Sequence, residues 1–326
     1  MKKIRTAFIY KPSNPYMSKK AWATTYYHFF FNALNRNEEL EMSYFQGEEK
    51  FDVTSLRGKF DIILLWENHP WGSPEELTGI DNLNIPVICR VNDYHDAQIK
   101  GKLAYHDKYK IDHYFGYMPE SYFYKYYPKN FKYKVIIYGV EKKLYENLTP
   151  FEERIKNKIL CSGATARNSI SFKIKDILRG SQSMWKHYKL RTLCTELPYV
   201  DYTSTLQHDY INDKYPLLLM KYAASIAADT VVPVVKFWEN PAAGCLTFME
   251  ITQKNQGEYL GFKNNEHVIF IDEKNYKNKF SEYLSDPLNP KWHEIAKNGY
   301  DFTMKNLTND TAANSLVELF KEYVIR

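Results

Sequence analysis

Lys236-Phe237-Trp238-Glu239-Asn240-Pro241-Ala242-Ala243-Gly244-Cys245 carries two charged residues through a mostly apolar run, and its reading decides the fold. Upstream, Asp229-Thr230-Val231-Val232-Pro233 supplies a helix start, with Pro233 expected at the first helical position, where its missing N–H costs nothing. Gly244 supplies the stop, and Cys245-Leu246-Thr247-Phe248-Met249 leaves as a buried strand. Val235, Glu239 and Ala242 share one helical face, and Lys236 lies three residues before Glu239. Backbone N–H groups at Val234 and Val235, a Lys and a Glu make a nucleotide site: N–H and ammonium for phosphate, carboxylate for ribose hydroxyls. The same pattern fits an intrahelical Lys236–Glu239 ion pair, and these residues alone do not separate the two.

The 326 residues imply two domains of roughly 100 to 200 residues. The apolar runs, Phe60–Trp66 among the longest, are far short of a membrane span. Met1-Lys2-Lys3-Ile4-Arg5 begins like a signal peptide, but Tyr10-Lys11-Pro12 ends the apolar stretch, so a first strand is expected. The four cysteines stand apart, forming neither a zinc pair nor a redox pair, and imply buried thiols in a reducing, cytoplasmic setting. A net charge of +5 suits an anionic ligand and falls short of a nucleic-acid footprint, which makes nucleic acid a poor partner without excluding it.

Short β-rich runs recur at 6–10, 40–45, 60–66, 85–91, 111–115 and 133–138, with a helix read from Ser18 to Leu34. Tens of residues separate most of them, as parallel strands joined by crossover helices require. The polar stretch from Gly139 to Pro150 reads as a connection, dividing the chain into 1–143 and 144–326, with the last helix able to cross back. The pattern then restarts: a strand at 158–163, a helix at 169–178, a strand at 190–194 and a helix at 210–224. A strand at 267–271 and helices at 275–284, 290–306 and 311–324 follow. The fold class is therefore α/β, two Rossmann-like domains, with ligands expected at the carboxyl ends of the strands.

Four further stretches are site candidates. Ser162-Gly163-Ala164-Thr165-Ala166-Arg167-Asn168 follows the first strand of the second half, where a tight turn before a helix binds phosphate, with Arg167 and Lys173 adding charge. It has one Gly, no GxGxxG and no Walker Lys, so an ordinary strand–helix turn fits as well. Asn92-Asp93-Tyr94-His95-Asp96 places His95 between carboxylates in a loop, the arrangement of a general base or of a metal ligand set, and also of a polar loop. His69, in Glu67-Asn68-His69-Pro70-Trp71-Gly72, is a second such histidine. Seven tyrosines from Tyr114 to Tyr133, interleaved with Lys125, Lys129 and Lys132, suit stacking on sugars or bases, or a packed aromatic helix.

The 236–245 stretch, followed by Gly261-Phe262, Glu266-His267-Val268-Ile269-Phe270 and Trp292-His293-Glu294-Ile295-Ala296-Lys297-Asn298-Gly299, resembles the C-terminal domain of GT-B glycosyltransferases, especially the group-1, spore-maturation CgeB-like branch. The resemblance covers roughly 80 residues. It implies that Glu239 binds the ribose of a nucleotide sugar and that Lys236 lies near the phosphates. Two departures stand out: Val231 replaces the family's first paired Glu, and Lys11-Pro12-Ser13-Asn14-Pro15 replaces a Gly-rich loop. The expectation is a GT-B glycosyltransferase using a UDP- or GDP-sugar and no other cofactor, with the acceptor, a glycan or other small molecule, on the first half. The chain has no DxD, so metal-independent transfer is expected, with Lys236, His95 and Asp93 as catalytic candidates. The rivals are a noncatalytic nucleotide- or glycan-binding protein on the same scaffold and a DNA-modifying glycosyltransferase.

Overall fold

The computed structural model describes residues 2–11, 26–91, 93–180, 183–203 and 212–324, apart from the side chains of residues 26–29 and 212. Most of the Lys11–Pro15 loop and the first part of the helix read from Ser18 lie outside the described residues, as do Asn92 and residues 210–211. The chain forms two compact units, 1–138 with 309–326, and 139–308.

Unit 1 is built on β1 (Ile4–Tyr10), β2 (Leu40–Gln46), β4 (Ile62–Leu65), β6 (Val87–Arg90), β7 (Ile111–Gly116) and β8 (Tyr133–Val135). The sheet is parallel, in the order β2-β1-β4-β6-β7-β8, and a short parallel pair, β3 (Lys50–Asp52) with β5 (Glu76–Thr78), stands beside it. β4 and β6 are buried throughout, as strands covered on both faces must be. Helix α1 (Tyr26–Arg36) follows β1, buries Phe30, Phe31, Ala33 and Leu34, and reaches through Arg36 to Asp310, 2.5 Å away.

The crossover helices expected between the later strands are absent among the described residues. In their place stand 3-10 turns and two four-residue helices, α2 (Tyr105–Lys108) and α3 (Glu120–Phe123). Aromatic rings do the covering instead. Five of the seven tyrosines from Tyr114 to Tyr133 are buried, and Phe123 stacks on Tyr127 at 4.5 Å and on Tyr133 at 4.2 Å. The tyrosine-rich stretch is therefore mainly core, neither a stacking surface nor a single helix, because turns this short need large side chains to dry the sheet.

Unit 2 carries a parallel sheet in the order β10-β9-β11-β12-β13: β9 (Ile155–Ser162), β10 (Val200–Thr203), β11 (Tyr222–Ala227), β12 (Leu246–Glu250) and β13 (Ile269–Ile271). Its helices are α4 (Ile170–Ile177), α5 (Met184–Thr195), α6 (Tyr215–Leu219), α7 (Lys236–Ala242), α8 (Tyr276–Ser285) and α9 (Pro290–Asn306). The last helix, α10 (Asn309–Val324), belongs to unit 1.

Two elements differ from the sequence expectation. Residues 190–194 are helix, not strand. Leu190-Arg191-Thr192-Leu193-Cys194 alternates like a strand, but Leu190 and Cys194 are also one helical turn apart, and Ser183 caps the helix by accepting from the Lys186 N–H. The 210–224 helix is reduced to α6, and Tyr222-Ala223-Ala224-Ser225-Ile226-Ala227 is a central strand whose small residues are buried on both faces.

Candidate functional site

The unit 2 sheet has the 2-1-3-4-5 order of doubly wound folds, in which strand order reverses around the first strand, and the unit 1 sheet extends the same order by a sixth strand. In unit 2 that places the switch point between β9 and β11, where the loops after both strands leave at their carboxyl ends.

β9 ends at Ser162, and Gly163 follows with φ +104°, a backbone that only Gly adopts without strain. A Cβ at Gly163 would lie 2.7 Å from Lys236 Cε, 3.1 Å from Arg191 Nη1 and 3.5 Å from Lys236 Nζ. Thus two cations close on the bare backbone of one Gly. Lys236 rests over the Tyr215 ring, 4.6 Å from its centroid, and its Nζ is 3.5 Å from the Tyr215 hydroxyl, which lies 2.6 Å from Ser162 Oγ. Arg191 is buried; its Nε donates to Ala228 O at 2.9 Å, Nη2 donates to the same oxygen, and Nη1 donates to Ala164 O at 3.0 Å. Since Ala164 follows β9 and Ala228 follows β11, one guanidinium ties together the two loops of the switch point. Neither Lys236 nor Arg191 has a carboxylate within 4.0 Å among the described residues.

The loop after β11 is held by Asp229, whose Oδ1 accepts from the Val231 and Val232 N–H groups at 3.1 and 3.3 Å. Helix α7 then begins at Lys236, three residues later than Pro233 at the first helical position would have it. Val234 and Val235 precede the helix and give it their carbonyls: Val234 O accepts from Phe237 N, and Val235 O from Trp238 N and Glu239 N. The stop is as expected. Gly244, at φ +67°, donates to Pro241 O, Cys245 N reaches Asn240 O, and Arg154 Nη1 donates to the carbonyls of Ala243 and Gly244, each at 2.9 Å.

Glu239 stands one turn beyond Lys236, but the two are not ion-paired within 4.0 Å. Both keep part of their surface open, yet the surrounding protein strips most of the hydration from each charge. Burial lowers Lys236 to about 8 against the opposing pull of Glu239, with Arg191 lowering it further. Burial likewise raises Glu239 to about 7, with Lys236 opposing. A half-open carboxylate and ammonium, neither met by an opposite charge within 4.0 Å among the described residues, are groups a ligand can satisfy.

Arg167 and Lys173 do not join this cluster. The chain runs six residues from Gly163 before α4 starts at Ile170 behind the Ser169 cap, so no helix N-terminus sits directly after the glycine. Arg167 is exposed, and Lys173 lies over the Trp185 ring at 3.9 Å. Arg191 and Tyr215, which do line the cluster, escaped the sequence reading. The available signal was an Arg inside an apolar run with no acidic residue a helical turn away.

In unit 1, Asp93 has φ +44° and opens a single turn, Tyr94–Asp96, after β6. His95 Nε2 is 3.6 Å from Asp96 Oδ1, and Asp96 Oδ2 takes Lys100 Nζ at 2.6 Å, so the carboxylate beside the histidine is already paired with a lysine. His69 Nδ1 accepts from Trp71 N at 3.2 Å, and burial lowers its pKa. Beneath these loops lie a buried Lys102–Glu67 pair at 3.0 Å and Arg90, stacked 3.8 Å over the Trp66 ring and donating to the Tyr138 hydroxyl. Among the described residues, no three His, Cys, Asp or Glu side chains cluster as metal ligands.

No family model matches the chain, and no curated protein matches it significantly. Solved structures do. Sucrose-phosphate synthase from Thermosynechococcus elongatus aligns with a TM-score of 0.61 at 11% identity, over 98% of this chain and 99% of that one. HepE of Anabaena, in complex with UDP-glucose, aligns with a TM-score of 0.57 at 10% identity, over 98% and 100%. An α-glucosyltransferase in complex with UDP and a mismatched DNA aligns with a TM-score of 0.57 at 9% identity, again over 98% and 100%. Two parallel α/β sheets, matched along nearly the whole chain by these glycosyltransferases, give this protein the GT-B fold.

Proposed function

We propose that this protein is a glycosyltransferase of the group-1, CgeB-like kind, which transfers a sugar from a nucleotide-sugar donor to a glycan or other small acceptor in the cytoplasm without a metal ion. The observation that carries this reading is the approach of Lys236 and Arg191 to the Cβ-less face of Gly163, with Glu239 unpaired one turn away. A diphosphate fits the two cations and the open backbone, and a ribose fits the carboxylate. HepE holds UDP-glucose, which favours a UDP-sugar over a GDP-sugar.

In transfer, the bond between the anomeric carbon and the β-phosphate oxygen breaks, the acceptor oxygen bonds to that carbon, and the acceptor proton leaves to a base. The departing nucleoside diphosphate gains negative charge, which Lys236 and Arg191 are placed to offset; the backbone N–H groups of Val234 and Val235 are further candidates. His95, in the same unit 1 loop as Asp93 and beside Asp96, is the candidate base.

Thermal shift with UDP, GDP and their glucose conjugates tests the reading, since a ligand bound only by the native state raises the melting temperature. Calorimetry on Glu239→Ala should show roughly tenfold to hundredfold weaker UDP binding, the loss of a hydrogen bond to a charged group. Equal affinity in a folded variant removes the ribose role.

A further inference from the structure

Helix α4 presents an apolar face outward. Ile170, Ile174, Ile177 and Leu178 are 77%, 62%, 62% and 84% exposed, and at about 100° per residue they fall within one arc of about 100°. Lys173 lies on one side of that arc and Lys175 on the other. From 164 to 180 the chain carries four cations, Arg167, Lys173, Lys175 and Arg179, and one carboxylate, Asp176. That carboxylate is buried on the inner face, accepting from Ser183 Oγ and Trp185 N, each at 2.7 Å, with Arg179 at 3.8 Å. The outward charge is therefore positive.

We propose that this face of α4 seats the protein on an anionic membrane surface, aliphatic side chains entering the headgroup boundary and lysines meeting lipid phosphates. An apolar stripe flanked by Lys on both sides is the pattern of helices that lie in a membrane interface. The charge excludes a simple alternative, since a second copy would bring the same cations against these. The area weighs against another: four aliphatic side chains exposed to this extent present a few hundred Å², short of the about 800 Å² per partner in a stable protein–protein contact. Nucleic acid would meet the cations and leave the four aliphatic chains without a role. The proposed contact is peripheral: α4 is eight residues long, and among the described residues no helix is long and apolar enough to cross a membrane. It stands apart from the donor chemistry proposed for Lys236 and Glu239.

Cosedimentation of the full chain with vesicles tests it. Binding is expected to an equimolar mixture of phosphatidylcholine and phosphatidylglycerol, with little to phosphatidylcholine alone, and it should weaken as salt rises. Ile174→Asp with Ile177→Asp should weaken vesicle binding by roughly tenfold or more, and Lys175→Ala by roughly fivefold, with melting temperatures near the parent's because these side chains are exposed. Equal binding by the Ile174/Ile177 variant overturns the proposal, as does failure of the parent to prefer anionic vesicles. So does a dimer in sedimentation that the same variant dissociates, or capture of an acidic protein with no vesicle binding.

Discussion

Gly163→Ala isolates the geometry on which the donor site rests. The backbone there has φ +104°, outside the left-handed basin a non-Gly residue tolerates, so the substitution carries about 1–3 kcal/mol of strain. The new methyl carbon would stand 2.7 Å from Lys236 Cε and 3.1 Å from Arg191 Nη1. Arg191 is fixed by its carbonyl partners, so Lys236 is the group that moves, by about 1 Å to restore ordinary contact. An ammonium displaced that far loses a charge-assisted contact to phosphate of about 1.5–3 kcal/mol, or roughly tenfold to hundredfold in UDP affinity. Gly58→Ala is the control: its φ is +71°, it has nothing within 4 Å of a built Cβ, and it lies in unit 1. Urea titration should show both variants destabilised, while calorimetry with UDP should show a loss for Gly163→Ala alone. If Gly163→Ala is destabilised yet binds UDP as the parent does, the phosphate does not sit between Gly163, Lys236 and Arg191.

Lys236→Ala should lower kcat more than donor affinity, because the charge it meets is largest as the diphosphate leaves, and EDTA should leave turnover unchanged; steady-state kinetics with and without chelator decides both. His95→Ala should lower turnover with UDP-sugar affinity nearly intact, and an equal loss of donor binding would assign His95 to the wrong substrate. Glu250, buried at the end of β12 with Oε2 unpartnered, is raised by burial to about 8 from 4.5. Between those values the folded chain keeps a proton that the unfolded chain releases, so this group makes stability fall as pH rises from 4.5 to about 8, by at most about 1.4 kcal/mol per pH unit. Glu250→Gln, which cannot ionise, should flatten urea-derived stability across that window.

What the sequence made legible was set by how local the determining physics is. The strands buried on both faces appear as short apolar runs, and α9 is bounded by the Asn289 cap and Pro290, which occupies the first helical position. The stop at Gly244 is readable because the left-handed conformation is a property of that residue. In contrast, four of the six residues of β11 are Ala or Ser, which favour no strand by themselves, and its place between β9 and β12 makes it one. Edge strand β10 buries one residue of four, too few for a periodicity. The start of α7 shifted because the Asp229 turn and the stretch to Val235 set where the helix begins, which Pro233 alone does not.

Arg191 shows why the site was harder to read than the fold. A buried guanidinium without a carboxylate costs several kcal/mol unless its donors are met, and three of its N–H groups are met by carbonyls of two loops that are 64 residues apart in sequence, Ala164 and Ala228. Carbonyls solvate the cation without cancelling its charge. The arrangement therefore holds the β9 and β11 loops together and leaves a net positive charge beside Gly163 and Lys236, which a carboxylate partner would have removed. An Arg paired to an Asp at that position would staple the same loops equally well, so the choice of carbonyls matters to the ligand more than to the fold. No spacing rule along the chain expresses that choice, since the carbonyls belong to alanines and the information lies in which loops the sheet order brings together.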